Sequence, residues 1–279
     1  VITLLGSFDK EGNYDVVSTH PPADTNSGQT TARSQGMVFF VGAGPGDPGL
    51  LTLWAAECLK KADCVFADRL VHPEILKFVR PGATIIRLEH HYSGVSGCQG
   101  VSFRNRQDIV RWMIAEAQQG KIVVRLKSGS PEIFARQAEE QALLRQAGVP
   151  YKVIPGITAG LAAAAVAEIP LTDSDHSSAV ALVTGHEKSS KKGSRLDYEV
   201  LAKFPGTLVF YMGVSTAQQW SEALIRGGKS PGTPVAIIYR CTWPDQKILR
   251  CQLGNLVETI AHHGVKAPAI IIVGDVAAA

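Results

Sequence analysis

Val38-Phe39-Phe40-Val41-Gly42-Ala43-Gly44-Pro45-Gly46-Asp47-Pro48-Gly49 joins an apolar segment to a glycine- and proline-rich junction, and the fold class follows from it. Its first four residues form a short apolar run, the mark of a buried strand. Glycine and proline punctuation follows, and then a helical pattern puts Leu51, Trp54, Ala55, Cys58, Leu59 and Ala62 on one face. Glycines just past a strand remove Cβ atoms where a ligand would approach, and they permit positive φ in the turn. A proline follows the second glycine and no third glycine opens the helix, so this is not the dinucleotide fingerprint. A tight structural turn and a cofactor loop both fit. The stiffening by Pro45 and Pro48 favours a surface preorganised for a ligand.

Outward from this junction the same alternation repeats. Strands are predicted at Cys64–Ala67, Thr84–Leu88, Ile122–Leu126 and Tyr151–Ile154, with helices over His72–Val79, around Ile109–Ala117 and over Gln137–Gln146. Strand–helix alternation predicts an α/β protein with parallel sheets buried on both faces. Pro155-Gly156 is the predicted joint, followed by a small-residue helix, Thr158–Ala167. Beyond it the strands fall near Val180–Thr184, Thr207–Tyr211, Val235–Tyr239, Ile248–Gln252 and Ala269–Val273. Helices fall near Leu196–Lys203, Thr216–Arg226 and Leu253–His262, and Glu187–Ser194 reads as a mobile loop. Residues 13–36 are rich in Ser, Thr, Pro, Asp and Gly and cannot bury enough apolar surface to offset chain entropy. The expected organisation is a flexible extension over 1–36, an N-terminal α/β domain over 37–154 and a C-terminal one over 155–279.

Bulk properties narrow the function. No apolar run approaches the ~20 residues of a membrane span, and Val1–Gly6 lacks the form of a signal peptide. The five cysteines are scattered with no close CxxC pair, so neither a zinc site nor a disulfide framework is expected, and a cytoplasmic setting fits. The formal charge of +3 permits an anionic substrate, but no dense Lys/Arg stripe predicts nucleic acid.

Several polar or glycine-rich motifs fall at the carboxyl ends of predicted strands, where ligands of α/β sheets bind. They are Asp68-Arg69, the turn after Val123–Lys127 (Ser128-Gly129-Ser130-Pro131), Pro155–Ala159 at a helix start, Phe210-Tyr211-Met212-Gly213, and Thr233-Pro234-Val235-Ala236. Asp68-Arg69 reads either as a local ion pair or as a base at a strand end.

Read together, these segments resemble the tetrapyrrole methylase family. Val41–Leu53, Ala67–Val71, Val123–Lys127, Pro155–Ala159, Ile169–Thr172, Val183–His186, Leu208–Gly213 and Thr242–Gln246 carry the likeness, which runs from Met37 to the C-terminus. The resemblance implies a homodimer, each chain having two α/β domains with S-adenosylmethionine in the cleft between them and no metal. It implies two successive methyl transfers converting uroporphyrinogen III to precorrin-2, on the branch to sirohaem and cobalamin. The cofactor contacts it implies are Pro45, Ser128, Gly129, Ser130, Ile133, Thr158, Ala159, Met212, Ala236 and Cys241. Asp68 matches the family's proton acceptor, and His90 stands where the family has a lysine proton donor. Arg69, Arg136, His90 and His91 are the expected partners for the substrate's carboxylates. The chain departs from the family at Ser128-Gly129-Ser130-Pro131, usually Gly-Gly-Asp-Pro. A phenylalanine is replaced by Glu132, glycines are replaced at Ala135, Gln137 and Ala138, and Tyr239-Arg240-Cys241 stands for Glu-Asn-Gly. The loop Tyr92–Phe103 is longer than usual. The alternatives are a non-catalytic member that binds a tetrapyrrole or cofactor, and a methylase of another tetrapyrrole.

Overall fold

The computed structural model describes residues 6–8, 14–16, 36–88, 95–96, 105–187 and 195–278. Residues 1–33 and 34–279 are two separate compact units. In the first, where the sequence reading has only an extension, β1 (Gly6–Phe8) pairs antiparallel with β2 (Tyr14–Val16).

The second unit holds two sheets. One contains β3 (Met37–Gly42), β4 (Cys64–Asp68), β5 (Thr84–Leu88), β6 (Val95–Ser96), β7 (Ile122–Lys127) and β8 (Tyr151–Ile154). Their order is β6-β5-β4-β7-β3-β8, parallel throughout except at the β5–β6 edge. Side chains alternate across this sheet. Val41, Val65, Ala67, Val124 and Leu126 pack under α1 (Leu53–Lys61), while Val38, Phe40, Cys64, Phe66 and Val123 pack under α2 (Arg106–Gln118) and α3 (Gln137–Gln146). Thr52 caps α1 by accepting from Ala55 N at 3.2 Å. Trp54, expected on the buried face of α1, is 48% exposed, because the helix begins at Leu53 and its buried stripe is Ala55, Cys58 and Leu59. The helix expected over His72–Val79 is a tight 3-10 segment, Pro73–Phe78, which suits a short run bounded by prolines.

The other sheet contains β9 (Val180–Thr184), β10 (Thr207–Tyr211), β11 (Pro234–Tyr239), β12 (Lys247–Gln252) and β13 (Ala269–Val273), in the order β12-β11-β13-β10-β9. Here the expectation of parallel strands fails. Only β9–β10 is parallel, and the other three pairs are antiparallel. The physical reason lies in the connections: residues 240–246 are too few for a parallel crossover and turn the chain back as a hairpin. Between its flanking strands, β13 then pairs antiparallel with both. The α4 helix (Ala159–Val166) packs on one face, with α5 (Tyr198–Ala202), α6 (Ala217–Arg226) and α7 (Leu256–His262) toward the other. The helix expected to begin at Leu253 opens with a 3-10 turn, Leu253–Asn255. Of the expected mobile loop, residues 188–194 lie outside the described residues.

Candidate active site

Three of the motifs meet through bare backbone. Gly129 N donates to Gly44 O at 2.8 Å and Gly44 N to Gly129 O at 3.1 Å, so the turn after β7 is pinned to the junction after β3. A Cβ on Gly156 would lie 2.3 Å from Gly129 O, and one on Gly42 would lie 2.5 Å from Gly156 N. Real Cβ atoms do not approach backbone so closely, so the crossing requires glycine at both positions.

Beside this crossing opens a cavity of about 520 Å³ at the carboxyl ends of β3, β4, β7, β10 and β11. Pro45, Ser128, Gly129, Ser130, Ile133, Thr158, Ala159, Met212 and Cys241 line it, as does Asp68. Ala236 does not. It sits on the same face of β11 as Ile238, which does line the cavity, but two residues deeper, where it is fully buried in the core. Arg69 is on the wall, and Arg136 stands outside it at the start of α3, next to the lining residue Ala135. His90 and His91 lie outside the described residues. Burial pushes the Cys241 thiol up to about 12, so it faces the cavity uncharged at neutral pH.

The wall stores strain. Phe134, Met212 and Arg240 line the cavity with φ of 51°, 54° and 46°. Left-handed backbone at such side chains costs about 1–3 kcal/mol each and gathers at functional sites. The Tyr211 hydroxyl, in contact with Thr158 Oγ1 at 2.8 Å, accepts from Gly160 N at 2.9 Å and so satisfies an orphan donor at the start of α4.

Behind Asp68 lies a buried charge cluster. Phe66 and Arg125 are register partners, so Asp68, two residues past Phe66, shares the α2/α3 face with Arg125 and Lys127. Arg125 Nη2 donates to Asp68 Oδ1 at 2.5 Å, so the partner of this carboxylate is Arg125 rather than the neighbouring Arg69. Glu140, fully buried at the first turn of α3, faces Arg125 Nε at 3.5 Å, Lys127 Nζ at 3.0 Å and Arg106 Nη1 at 3.4 Å. Burial alone would raise the Asp68 carboxyl, but Arg125, aided by Lys127 and Arg106, outweighs it and holds Asp68 below the usual carboxylate range. Burial, then the Arg125 charge, push Lys127 down to about 8 against the pull of Asp68 and Glu140.

The glycine crossing, the cavity beside it and the Asp68 carboxylate on its wall form a small-molecule site at strand ends, and comparison with known proteins decides its family. Residues 37–257 match the pattern of the Tetrapyrrole (Corrin/Porphyrin) Methylases. The chain belongs to this family. As a tetrapyrrole methylase it is similar to a uroporphyrinogen-III C-methyltransferase of Bacillus subtilis, 42% identical over 86% of this chain and 48% of the relative. It is also similar to an S-adenosyl-L-methionine-dependent uroporphyrinogen III methyltransferase of Methanosarcina barkeri, 40% identical over 86% of this chain and 92% of the relative. Among solved structures it resembles the Thermus thermophilus uroporphyrin-III C-methyltransferase complexed with S-adenosylhomocysteine. That likeness is 34% identity at a TM-score of 0.72, covering 86% of this chain and 98% of the other. The chain spans about half the length of the first curated relatives it matches, siroheme synthases among them.

The sequence reading assigns no role to Trp243 or Glu140, and it treats Arg240 only as part of a departure from the family. Arg240 and Trp243 line the cavity, with the Arg240 Cζ 4.1 Å from the Trp243 ring centre. Arg125 and Glu140 lie behind Asp68. A buried charge in a strand that otherwise reads Ile-Val-Val-x-Leu was the available signal for Arg125.

Proposed function

We propose that this tetrapyrrole methylase carries out S-adenosylmethionine-dependent C-methylation of uroporphyrinogen III, two transfers giving precorrin-2 on the route to sirohaem and cobalamin. The observation that carries the reading is the convergence on one cavity of Asp68 and every expected cofactor contact except Ala236.

The residues fit the cofactor. The cavity volume falls within the 300–1,000 Å³ typical of small-molecule sites. Ile133, Ala159, Met212 and Ile238 offer apolar surface, and Ser128 and the backbone of its turn offer polar groups. When bound, S-adenosylmethionine supplies a methyl group on a sulfonium that departs as a neutral thioether, so no metal need activate it. The protein's task is to hold the attacking ring carbon in line with that methyl and to accept the proton that the pyrrole nitrogen sheds. Asp68, ionised at the wall, is the group for that proton. Arg69, Arg240 and His186, also on the wall, are candidates to meet the substrate's carboxylates.

Exposed apolar side chains at Leu53 and Trp54 on α1 and Leu161 on α4 support a homodimer, which light scattering tests. Among the described residues no helix is long and apolar enough to cross a membrane. The thiols of Cys58, Cys241 and Cys251 form no disulfide, which supports a cytoplasmic setting.

The deciding experiment incubates the protein anaerobically with S-adenosylmethionine and uroporphyrinogen III and follows methylated product by mass. Product heavier by two methyl groups is expected. Absence of both turnover and cofactor binding by calorimetry overturns the reading. Binding without turnover on this substrate favours a binding protein or another tetrapyrrole.

A further inference from the structure

Arg125 is anchored from several sides. Its Nη1 donates to Phe66 O at 3.2 Å and Leu126 O at 3.3 Å, and Glu140 Oε1 lies 3.5 Å from both Nε and Nη2. The residue is 3% exposed, so these partners leave its planar fork one orientation, with Nη2 presented to Asp68. Asp68, in contrast, keeps a third of its side-chain surface open to the cavity.

We propose that Arg125 is a positioning residue for the methyl-transfer site: held by the Phe66 and Leu126 carbonyls and by Glu140, it fixes the Asp68 carboxylate at the cavity wall and keeps it ionised while a polyanionic substrate binds. The proposal deepens the function argued above and rests on it. Uroporphyrinogen III brings eight carboxylates to the wall, and like charges raise a carboxyl's pKa. An Asp68 without a counter-charge would take up a proton from solvent before the reaction and then could not accept one. In the step itself the ring carbon forms a bond to the methyl group, the methyl–sulfur pair stays on sulfur, and the pyrrole N–H proton passes to Asp68, which becomes neutral and later releases it to solvent. The cationic methylated ring is a strong acid, so a weak base that is always ionised suffices.

Among the described residues, the charged groups facing Asp68 are Arg125 and Lys127 from β7 and Arg106 from α2, with Glu140 from α3 behind them. From β5 the nearest charge, Arg87, instead reaches Val71 O at 3.5 Å. Arg125 supplies the largest of the pulls that lower Asp68, against a burial effect that raises it.

The test combines kinetics with a carboxyl titration that does not depend on substrate. In Arg125→Gln, kcat is expected to fall about 100-fold, the size of a general-base contribution, while the KM for S-adenosylmethionine stays within about twofold. By 13C NMR of the cofactor-free protein, the wild-type Asp68 carboxyl is expected to titrate below the usual carboxylate range, and in Arg125→Gln its midpoint is expected to rise. Arg125→Lys, which keeps the charge, is expected to keep Asp68 ionised and recover part of kcat. An Arg125→Gln protein whose Asp68 titrates as in the wild type overturns the proposal, as does one with unchanged kcat and an unchanged acid limb. Should Arg125→Gln fail to fold, Glu140→Gln carries the test. It frees one side of the guanidinium and is expected to lower kcat at least about fivefold at an unchanged KM, and wild-type kcat in the folded variant overturns the proposal. If the wild type makes no product, the functional reading fails, and the NMR titration of Arg125→Gln, or of Glu140→Gln in its place, still decides whether Asp68 is held as described.

Discussion

Trp243 Nε1 donates to the Pro45 carbonyl at 3.3 Å, joining the loop after β11 to the glycine junction after β3. Asp47 N donates to Thr242 Oγ1 at 3.0 Å beside it, and a Cβ on Gly46 would lie 2.6 Å from the indole nitrogen. The indole also meets the His72 ring at 4.4 Å. Arg240 and Thr242 hold left-handed backbone on either side of Cys241, a conformation that persists only where surrounding contacts enforce it. Trp243→Ala removes that enforcement and lets the Pro45 wall move. Calorimetry is expected to show S-adenosylmethionine affinity reduced about tenfold, equal to ~1.4 kcal/mol. An unchanged affinity would show that the Pro45 wall keeps its place without the indole.

The glycine crossing makes a sharper prediction. Gly156→Ala forces a Cβ against the Gly129 carbonyl, and every atom it meets there is backbone, which cannot swing aside. The expected loss is about 3 kcal/mol or more, at the upper end of overpacking costs. Gly49→Ala, whose nearest neighbour is the Asp47 side chain at 3.2 Å, serves as the contrast and is expected to cost well under half as much. Urea unfolding of both variants measures the difference, and equal midpoints would refute the crossing.

Strands buried on both faces were the most legible elements. Thr207–Tyr211 and Ala269–Val273, buried at every position, are read to the residue. Strand direction in the second sheet was not legible from alternation alone, because direction depends on which connections are too short to cross over. Cavity-wall residues such as Ser128, Met212 and Cys241 were reached through the family resemblance, by position. The Asp68–Arg125 pair was hidden because its partners are 57 positions apart and meet only through the β4–β7 register. The adjacent Arg69 offered the nearer and mistaken partner.

Lys127 gives the fold a pH signature. Folded, its ammonium loses a proton near pH 8, against an ordinary value of 10.5. Between those values the unfolded chain binds more protons than the folded one, so this group makes stability rise with pH. Below about pH 8 both states are protonated and the burial cost is present in full. The rise attributable to Lys127 is about 2–3 kcal/mol by pH 10. Cysteines whose thiols are raised by burial act in the opposite direction above pH 9. The comparison is therefore with Lys127→Met, whose urea midpoint should lose ground to the wild type as pH climbs. Parallel curves would mean that Lys127 titrates normally.

A carboxylate contacts the Ser128–Ser130 turn from just beyond it. Ser130 Oγ donates to Glu132 Oε2, and Ser130 is buried whereas Glu132 is exposed. The turn therefore has an acidic group in hydrogen-bond contact at residue 132, where the resemblance to the family implies a phenylalanine, with an aspartate at residue 130. Ser130→Asp alone sets a second carboxylate against the first, replacing a hydrogen bond with repulsion. It should weaken S-adenosylmethionine binding and lower stability, each by about 1 kcal/mol. Glu132→Phe alone strips the serine of its acceptor. Combined, the two changes restore the family's own arrangement and should recover most of the affinity, a coupling of about 1–2 kcal/mol in a double-mutant cycle. Strict additivity of the two losses would show that Ser130 and Glu132 act independently and that the acidic group has no share in the cofactor wall.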